Sequence, residues 1–522
     1  MKQHSRLVWI SVLALGWLLD FLFWRQAPGL NFAIYVVLCL IGGFFLLRLE
    51  GTRLAPRAAF LLPLIGIFAA ASFIRAEPMT QFLEVVLTLF LMGLLAITAA
   101  GGRWLEFDLG QYGIGFLSLA WSSVSKGFGF HAPAAGGGSE SRTGRMRIWP
   151  VLRGILLALP ILLIFGALLG SADLVFRREL DSLIELFRLE RLPEYIFRLV
   201  YILLAAWTLL GVFIHAATMS TGAPGSVRGL TTEARFMGFT EASIVLGSVA
   251  VLFAAFVLVQ FRYFFGGSEN IGLDGYTFAE YARRGYGELM TVSVLSLLLI
   301  LILGAITRRE SLSRQRLFSA LSVVIVVLVG VMLVSAYQRL SLYEMAYGFT
   351  RLRTYVHVSL IWLGVLLAAV VILEILRRER LFAPAALLVA LGFALTITVL
   401  NVDAFIVRQN VGRALRGQGL DVPHLASLST DSVPPLVEFF NADSTSEKTR
   451  DALGAALACR LEASSEPATS DWRSFSVSRS KAELVMDTVR DELDGYRAVK
   501  GDWYTQIITP QGETHDCYVY WD

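Results

Sequence analysis

The sequence has few charged residues. Asp, Glu, Lys and Arg make up 17% of its 522 residues, whereas hydrophobic residues make up 56% and the mean hydropathy is +0.63. A soluble domain carries about 25% charged residues, which cover its surface. The scarcity of charge excludes a soluble enzyme, a fibrous chain and a disordered chain, and it predicts a multi-pass membrane protein.

Patterns typical of metal and nucleotide sites are also missing. The chain has 3 cysteines and 6 histidines, with neither a CxxC nor an HExxH motif, so the sequence predicts no metal site. It has no P-loop, no dinucleotide-binding glycine pattern and no nucleophile elbow. We therefore expect no cofactor, and ATP-driven transport by this chain alone is disfavoured.

Long apolar runs are what the chain has instead. A helix needs about 20 mostly apolar residues to cross about 30 Å of hydrocarbon. Eleven stretches meet this requirement, at residues 7–24, 30–47, 58–74, 81–100, 148–170, 195–219, 241–265, 287–306, 317–337, 355–376 and 383–401. The predicted fold is an all-α polytopic transmembrane helix bundle of about 11 spans, formed by residues 1–401.

The distribution of Lys and Arg between the loops predicts the orientation, because cytoplasmic loops are enriched in these residues. With the N-terminus in the cytoplasm, the inner segments carry 20 Lys and Arg and the outer loops carry 13. This predicts a plasma-membrane protein with a cytoplasmic N-terminus. An odd number of spans then makes the C-terminus extracytoplasmic.

Two segments between the spans have characters of their own. Residues 101–147 contain an apolar stretch suited to the membrane interface, followed by a Gly- and Ser-rich run, which predicts a cytoplasmic linker loop. Residues 172–193 place apolar side chains at helical spacing opposite charged ones. They predict an outer amphipathic helix, which either lies in the interface or covers the spans as a lid.

Residues 402–522 predict a small, mainly helical C-terminal domain that ends in a β-hairpin. They carry 12 Lys and Arg against 19 Asp and Glu, a net charge of −7, which leaves about +10 on the membrane part. β-Forming residues on both sides of Pro510-Gln511-Gly512 predict the hairpin. The acidic charge disfavours nucleic acid as a partner and is compatible with an envelope protein partner, while the bundle binds the lipid bilayer.

The cysteines leave one alternative open. Cys39 lies within the second predicted span, where it is a small packing residue. Cys459 and Cys517 both lie in the C-terminal domain. They either form a disulfide in an oxidising compartment or remain two reduced, buried thiols.

Polar residues gather at the predicted outer ends of the later spans, and one carboxylate lies inside the fourth span. The candidate polar site consists of Glu84, Arg262, Glu280, Arg283, Arg284, Glu288, Arg339, Tyr343, Tyr347, Arg351, Arg353 and Asp403. These residues either form a polar pocket for an anionic group or act as interfacial anchors that fix the helix ends. No catalytic residues are predicted among them.

These segments also carry a resemblance to a known family. Residues 259–290, 335–364 and 401–414, together with 428–436 and 471–482 in the C-terminal domain, resemble an uncharacterised bacterial multi-pass membrane family, domain of unknown function family 4173 (DUF4173). The resemblance implies a polytopic bacterial membrane protein. It implies no activity and no catalytic residues.

Three classes of function remain. We favour a non-catalytic envelope binding, sensing or assembly component with a polar site on the extracytoplasmic side, because few charges lie deep in the spans and no internal repeat is evident. A transporter, flippase or channel-like protein is the alternative. A membrane-embedded enzyme acting on lipid-linked substrates comes third, because the sequence shows no nucleophile, base or metal arrangement.

Overall fold

The fold combines a bundle of long apolar helices with a small C-terminal domain. The computed structural model describes residues 5–129, 165, 173, 192–220, 236–264, 286–308, 311–463, 471–501 and 505–517. The helices of the membrane part are α1 (Ser5–Phe23), α2 (Leu30–Leu49), α3 (Pro56–Ile74), α4 (Pro78–Thr98), α5 (Leu109–Gly129), α6 (Leu192–Thr218), α7 (Phe239–Phe264), α8 (Tyr286–Ile306), α9 (Leu312–Tyr347), α10 (Arg351–Ile375) and α11 (Phe382–Leu400).

Ten of the eleven predicted spans coincide with helices that are long and apolar enough to cross a membrane. They comprise all the helices of the membrane part apart from α5, and the protein is accordingly a multi-pass membrane protein. The predicted span at residues 148–170 falls almost entirely outside the described residues. So do most of the predicted outer helix at 172–193 and the Gly- and Ser-rich run at residues 131–144.

The turn between α9 and α10 comes ten residues later in the chain than the hydropathy predicts. The predicted span ends at Tyr337, but α9 continues to Tyr347 and has 36 residues, about 54 Å of helix against about 30 Å of hydrocarbon. Gly348 then takes φ +80°, and Thr350 caps the start of α10 by accepting a hydrogen bond from the backbone N–H of Arg353. The predicted outer loop is therefore mostly helix, because buried residues such as Leu340 extend the packed face of α9.

Helix α5 packs along the membrane bundle. Its side chain Phe116 lies against Gly93 of α4, and its backbone at Ser122 and Ser123 lies against Gly211 of α6. These glycines permit the close approach, because a Cβ at either position would overlap α5. The first part of the predicted linker loop thus forms a 21-residue helix that contacts two spans.

Four apolar clusters fill the described membrane part, and two of them matter for the site. One is built from α7, α8, α9 and α10, and the other from α2, α3 and α4. Helix α11 joins them, since Leu391 and Ala394 belong to the second cluster while Ala386 packs on the first. The position of α11 matters for the site, because its C-terminal end leads directly into the C-terminal domain.

The C-terminal domain is mainly helical and contains three short strands. Its elements are α12 (Val402–Ala414), α13 (Val422–Ala426), α14 (Val433–Phe440), α15 (Glu447–Ala463), α16 (Val477–Asp487), α17 (Arg490–Leu493), β1 (Arg497–Lys500), β2 (Thr505–Ile508) and β3 (Thr514–Cys517). Its apolar core extends into the spans through Val358 of α10 and Ile397 of α11.

The three strands of the C-terminal domain form one antiparallel sheet. Strands β2 and β3 form the predicted hairpin, with Ile507 opposite His515. The prediction missed β1, which pairs with β2. All four residues of β1 are exposed, so the strand lacks the alternation of apolar and polar residues that marks a half-buried strand. A disulfide joins Cys459 of α15 to Cys517 of β3.

Candidate functional site

A network of buried ionic groups joins the C-terminal domain to the ends of the membrane helices. We call the set Arg75, Glu77, Arg351, Tyr355, Asp403 and Asp431 the junction network. Its members come from the end of α3, the start of α4, the start of α10, α12 and the segment before α14. The network therefore lies where separate parts of the chain meet.

The pair Arg351–Asp403 is the centre of the junction network. Thr350 starts α10, so Arg351 stands in its first turn, and Asn401, in the left-handed conformation, ends α11 and caps α12. The guanidinium donates from Nε to Asp403 Oδ1 at 2.8 Å and from Nη2 to Oδ2 at 2.7 Å. Such bidentate pairs are both strong and directional.

The Asp403 carboxylate has no exposed surface, and it accepts a third hydrogen bond, from the backbone N–H of Ser429 at 2.6 Å. Burial alone would raise the pKa of Asp403. The hydrogen bonds and positive charge of Arg351, together with the bond from Ser429, instead hold it below its ordinary value. Asp403 is therefore ionised near neutral pH, and it ties α10 to the segment that precedes α14.

Glu77 is the second carboxylate beside Arg351. It caps the N-terminus of α4, where it accepts hydrogen bonds from the backbone N–H of Met79 at 3.1 Å and of Thr80 at 2.7 Å. The Tyr355 hydroxyl donates to the same carboxylate, and Arg351 Nε lies 3.9 Å from Glu77 Oε1. One guanidinium thus stands between two buried carboxylates.

Asp431 fastens the domain to α3. It accepts a hydrogen bond from the backbone N–H of Ala76 at 2.7 Å, and Arg75 Nη1 lies 3.8 Å from its Oδ1. Burial raises the pKa of Asp431, and the bond from Ala76 and the charge of Arg75 offset part of that rise. Arg75 Nε also donates to the carbonyl oxygen of Thr398 on α11 at 2.7 Å, so one arginine contacts two further elements.

A buried arginine inside the domain holds the segment that carries Ser429 and Asp431. Arg460 donates to the carbonyl oxygen of Ser429 at 3.1 Å, to Ser432 Oγ at 2.7 Å and to the carbonyl oxygen of Leu428. Burial lowers the pKa of Arg460 to about 10, so it remains charged at neutral pH. It is a positioning residue for the junction network.

Glu84 lies deeper, on α4, and is completely buried. The Thr398 hydroxyl lies 2.9 Å from Glu84 Oε1 and 3.0 Å from the carbonyl oxygen of Ala394, and its single proton serves one of them at a time. Glu84 Oε2 has no hydrogen-bond partner among the described residues. Through Thr398, which also contacts Arg75, the carboxyl group is connected to the junction network.

A second polar group fixes the turn between α9 and α10 to α12. The Asn410 side chain exchanges two hydrogen bonds with the backbone of Phe349, at 2.8 and 2.9 Å. Arg413 donates to the last carbonyl groups of α9, including that of Ala346 at 2.9 Å. Gly348 is required here, because a Cβ at this position would overlap the side chains of both Asn410 and Arg413.

Arg353 contacts both the backbone of the same turn and the side chain of Tyr343. It donates to the carbonyl oxygen of Gly348 at 2.5 Å, and its guanidinium lies 4.2 Å from the Tyr343 ring centroid. The Tyr347 ring lies 5.0 Å from that of Tyr343, and Tyr347 is half exposed. One turn farther along α10, His357 Nδ1 is 3.0 Å from Glu344 Oε2.

The structure brings together only part of the predicted site. Glu84, Arg351 and Asp403 are connected in one cluster, and Tyr343, Tyr347 and Arg353 lie at the neighbouring turn. Arg339 is half-buried on α9 and Glu288 is exposed at the start of α8. Glu280, Arg283 and Arg284 lie outside the described residues, as does the side chain of Arg262.

Several important residues did not figure in the sequence reasoning. Arg75 and Glu77 lie two residues apart in the short loop between two apolar runs, and Asp431 lies just before the apolar segment of α14. A local signal existed for Glu77, since a carboxylate directly before Pro78 is typical of a helix start. The pairing of Asp431 with α3 joins residues 355 positions apart, which no local pattern reveals.

The site is compact rather than open. Within the described part of the chain, two cavities are apolar: one is a groove between α9 and α10, and the other lies among α2, α4, α5 and α6. Neither is lined by the junction network. Among the described residues no cluster of three His, Cys, Asp or Glu side chains is arranged to hold a metal ion.

A buried serine–histidine contact lies elsewhere in the bundle. Ser122 Oγ of α5 is 2.9 Å from His215 Nδ1 of α6, and both residues are 2% exposed. The backbone of α5 packs tightly against α6 beside this pair. The contact therefore acts as an interhelical hydrogen bond.

Comparison with known families gives a match. The family described as "Domain of unknown function (DUF4153)" matches residues 61–439. The chain belongs to this family. The part that defines membership in DUF4153 runs from α3 into α14 and contains the whole junction network, whereas the disulfide and the sheet lie beyond it.

The predicted resemblance to DUF4173 is wrong, since the match is to DUF4153. Short runs rich in Tyr, Arg and Gly carried that resemblance. Such residues are common at the ends of membrane helices in general, so they do not distinguish one polytopic family from another. Comparison with curated proteins and with solved structures gives no match.

Proposed function

We propose that this DUF4153 protein is a non-catalytic component of a bacterial cell envelope, which binds or senses through its C-terminal domain and couples that domain to its membrane helices. The observation that carries the proposal is the bidentate Arg351–Asp403 pair, which joins α10 to α12 and, through Ser429, to the body of the domain. A change in the domain is thereby transmitted to a span.

The chemistry of the junction network favours coupling over catalysis. Its carboxylates accept hydrogen bonds from one arginine, a tyrosine and backbone N–H groups, and they lie away from the two apolar cavities. Buried ion pairs add little net stability compared with apolar packing, but breaking one is expensive. That asymmetry suits a junction that must have one defined arrangement.

Two observations support a domain on the extracytoplasmic side of the plasma membrane. The Lys and Arg bias of the loops favours a cytoplasmic N-terminus. The disulfide between Cys459 and Cys517 is of a kind that persists in oxidising compartments. In this orientation the acidic domain is available to an envelope protein partner, and the junction network lies at the outer membrane surface.

Hydrogen exchange on the full-length protein in nanodiscs tests the coupling. Asp403→Asn should increase exchange in α12 and in the first turns of α4 and α10, while the last turns of these two spans stay unchanged. The matched control is Asp487→Asn, which removes an exposed ion pair with Arg490 inside the domain. Faster exchange confined to α12 would contradict coupling to the spans.

Cysteine labelling tests the orientation. Leu484 is 69% exposed on α16, and Arg103 is exposed between α4 and α5. In intact cells, a membrane-impermeant maleimide should label Leu484→Cys and leave Arg103→Cys unlabelled until the membrane is opened. The reverse pattern would place the domain in the cytoplasm and remove the envelope role.

A transporter or flippase is the second candidate, and Glu84 favours it. Ionisable residues inside spans are costly and usually functional, and Glu84 keeps one oxygen without a partner among the described residues. If Glu84 participates in transport, Glu84→Gln abolishes the transport activity while the hydrogen exchange of the junction network is retained. If it is structural, Glu84→Gln changes exchange in α4 and α11 and no activity.

A further inference from the structure

An apolar groove follows the surface of the membrane bundle between α9 and α10. It has a volume of about 550 Å³ and extends from Val326 to Tyr337 on α9 and from Leu360 to Ile372 on α10. Gly330 and Gly364 form part of its lining, and a Cβ built at either glycine meets no atom within 4 Å. The groove is open because these two positions have no side chain.

The length of the groove corresponds to one leaflet of a bilayer. At about 1.5 Å per residue, its two walls are about 16 and 18 Å long, close to half of the roughly 30 Å hydrocarbon core. Dividing the volume by this length gives a cross-section of about 32 Å², too narrow for a helix about 10 Å across. A single hydrocarbon chain fits these dimensions.

The end of the groove nearest the C-terminal domain is polar. The Tyr337 ring lies 4.4 Å from the ring of His357, which is paired with the buried carboxyl group of Glu344. Arg353 stands one turn before His357 on the same face of α10. Its hydrogen bonds go to the backbone carbonyl groups of Gly348 and Tyr347, which leave its positive charge in place.

We propose that this groove binds one acyl chain of a phospholipid from the leaflet nearest the C-terminal domain, with the anionic headgroup at Arg353. Apolar walls of leaflet depth select the chain, and the guanidinium at the polar end selects a phosphate-bearing group with net negative charge. A phospholipid is present wherever the protein is. This inference stands independently of the proposed function of the domain.

Filling the groove is the direct test. Leucine at position 330 or 364 would occupy the open space without overlapping the backbone. The matched control is Gly247→Leu on α7, where a Cβ also meets no atom within 4 Å but the groove is not involved. Native mass spectrometry of the full-length protein, delipidated and titrated with phosphatidylglycerol or phosphatidylcholine, measures the bound lipid.

The wild type and Gly247→Leu should retain one phosphatidylglycerol per chain, and Gly330→Leu and Gly364→Leu should weaken this binding at least about tenfold. Arg353→Gln should bind both lipids equally, because it removes the preference for the anionic headgroup while leaving the groove. Equal lipid retention in the groove-filling variants and Gly247→Leu would overturn the site. A lipid-free dimer, with the groove covered by a second copy, would also overturn it.

Discussion

Removing the Asp403 carboxylate is the sharpest perturbation of the junction network. Asp403→Ala removes two hydrogen bonds from Arg351 and leaves the Ser429 N–H without its acceptor. Breaking a buried ion pair costs about 3–5 kcal/mol. Because Arg351 is 30% exposed and keeps Glu77 Oε1 at 3.9 Å, the arginine is partly screened by solvent and keeps one carboxylate nearby. We therefore expect a loss of about 2–3 kcal/mol.

Hydrogen exchange of α12 in the full-length protein measures this loss as a local opening free energy. Asp403→Asn should fall between wild type and Asp403→Ala, because its amide oxygen still accepts the bond from Ser429. Asp487→Ala, at an exposed pair in the same domain, should cost less than about 0.5 kcal/mol. If Asp403→Ala is no more destabilising than Asp487→Ala, the reasoning about the network is wrong.

The pH dependence provides a second measurement of the same pair. The folded protein holds the pKa of Asp403 below its ordinary value of 3.8, so the pair contributes stability above that pH. The contribution is lost as the pH falls through the lowered value. The difference between wild type and Asp403→Asn should consequently be constant from neutral pH to about pH 5 and shrink below about pH 4.

Three further changes have defined outcomes. The pKa of Asp431 is raised in the folded state, so the folded protein holds this proton more tightly than the unfolded chain does. The stability of the protein therefore falls as the pH rises from 3.8 to the raised pKa. Asp431→Asn should remove this dependence of the thermal unfolding temperature on pH. Gly348→Ala should lose about 2 kcal/mol more stability than Gly417→Ala. Both glycines have positive φ, but a Cβ at position 417 meets no atom within 4 Å, whereas one at position 348 overlaps Arg413 and Asn410. Thermal unfolding measures the difference. Cys459→Ser should destabilise the domain by up to about 4 kcal/mol, because the disulfide links residues that are 58 positions apart in the chain. Hydrogen exchange of α15, recorded as a function of denaturant concentration, measures this loss.

Hydropathy predicted the spans well because each span is long and apolar over its own length. Ten of the eleven runs are helices that can cross a membrane, and their ends are mostly within a few residues of the predictions. The exception is the C-terminal end of α9, where Leu340 and Glu344 are buried by tertiary packing. Burial of these residues depends on the other segments that pack against α9, and a hydropathy profile holds no information about such contacts.

The site was predictable only in part, for the same reason. Arg351 and Asp403 attracted notice because they are charged residues next to apolar runs. Their pairing was not predicted, because it depends on the left-handed conformation of Asn401, which turns the chain between α11 and α12. Glu77 and Asp431 became visible only when the fold brought the start of α4 and the segment before α14 together.

The junction at Asn401 also limits how far the protein can reach. Helix α11 ends at Leu400 and α12 begins at Val402, so a single residue separates the last span from the domain. A folded domain of about 120 residues has a radius of gyration of about 14 Å. Because no flexible linker separates it from α11, it extends only roughly 30 Å from the bilayer. The envelope partner proposed above would therefore have to lie within this distance of the membrane, as another membrane protein or a lipid-bound molecule does.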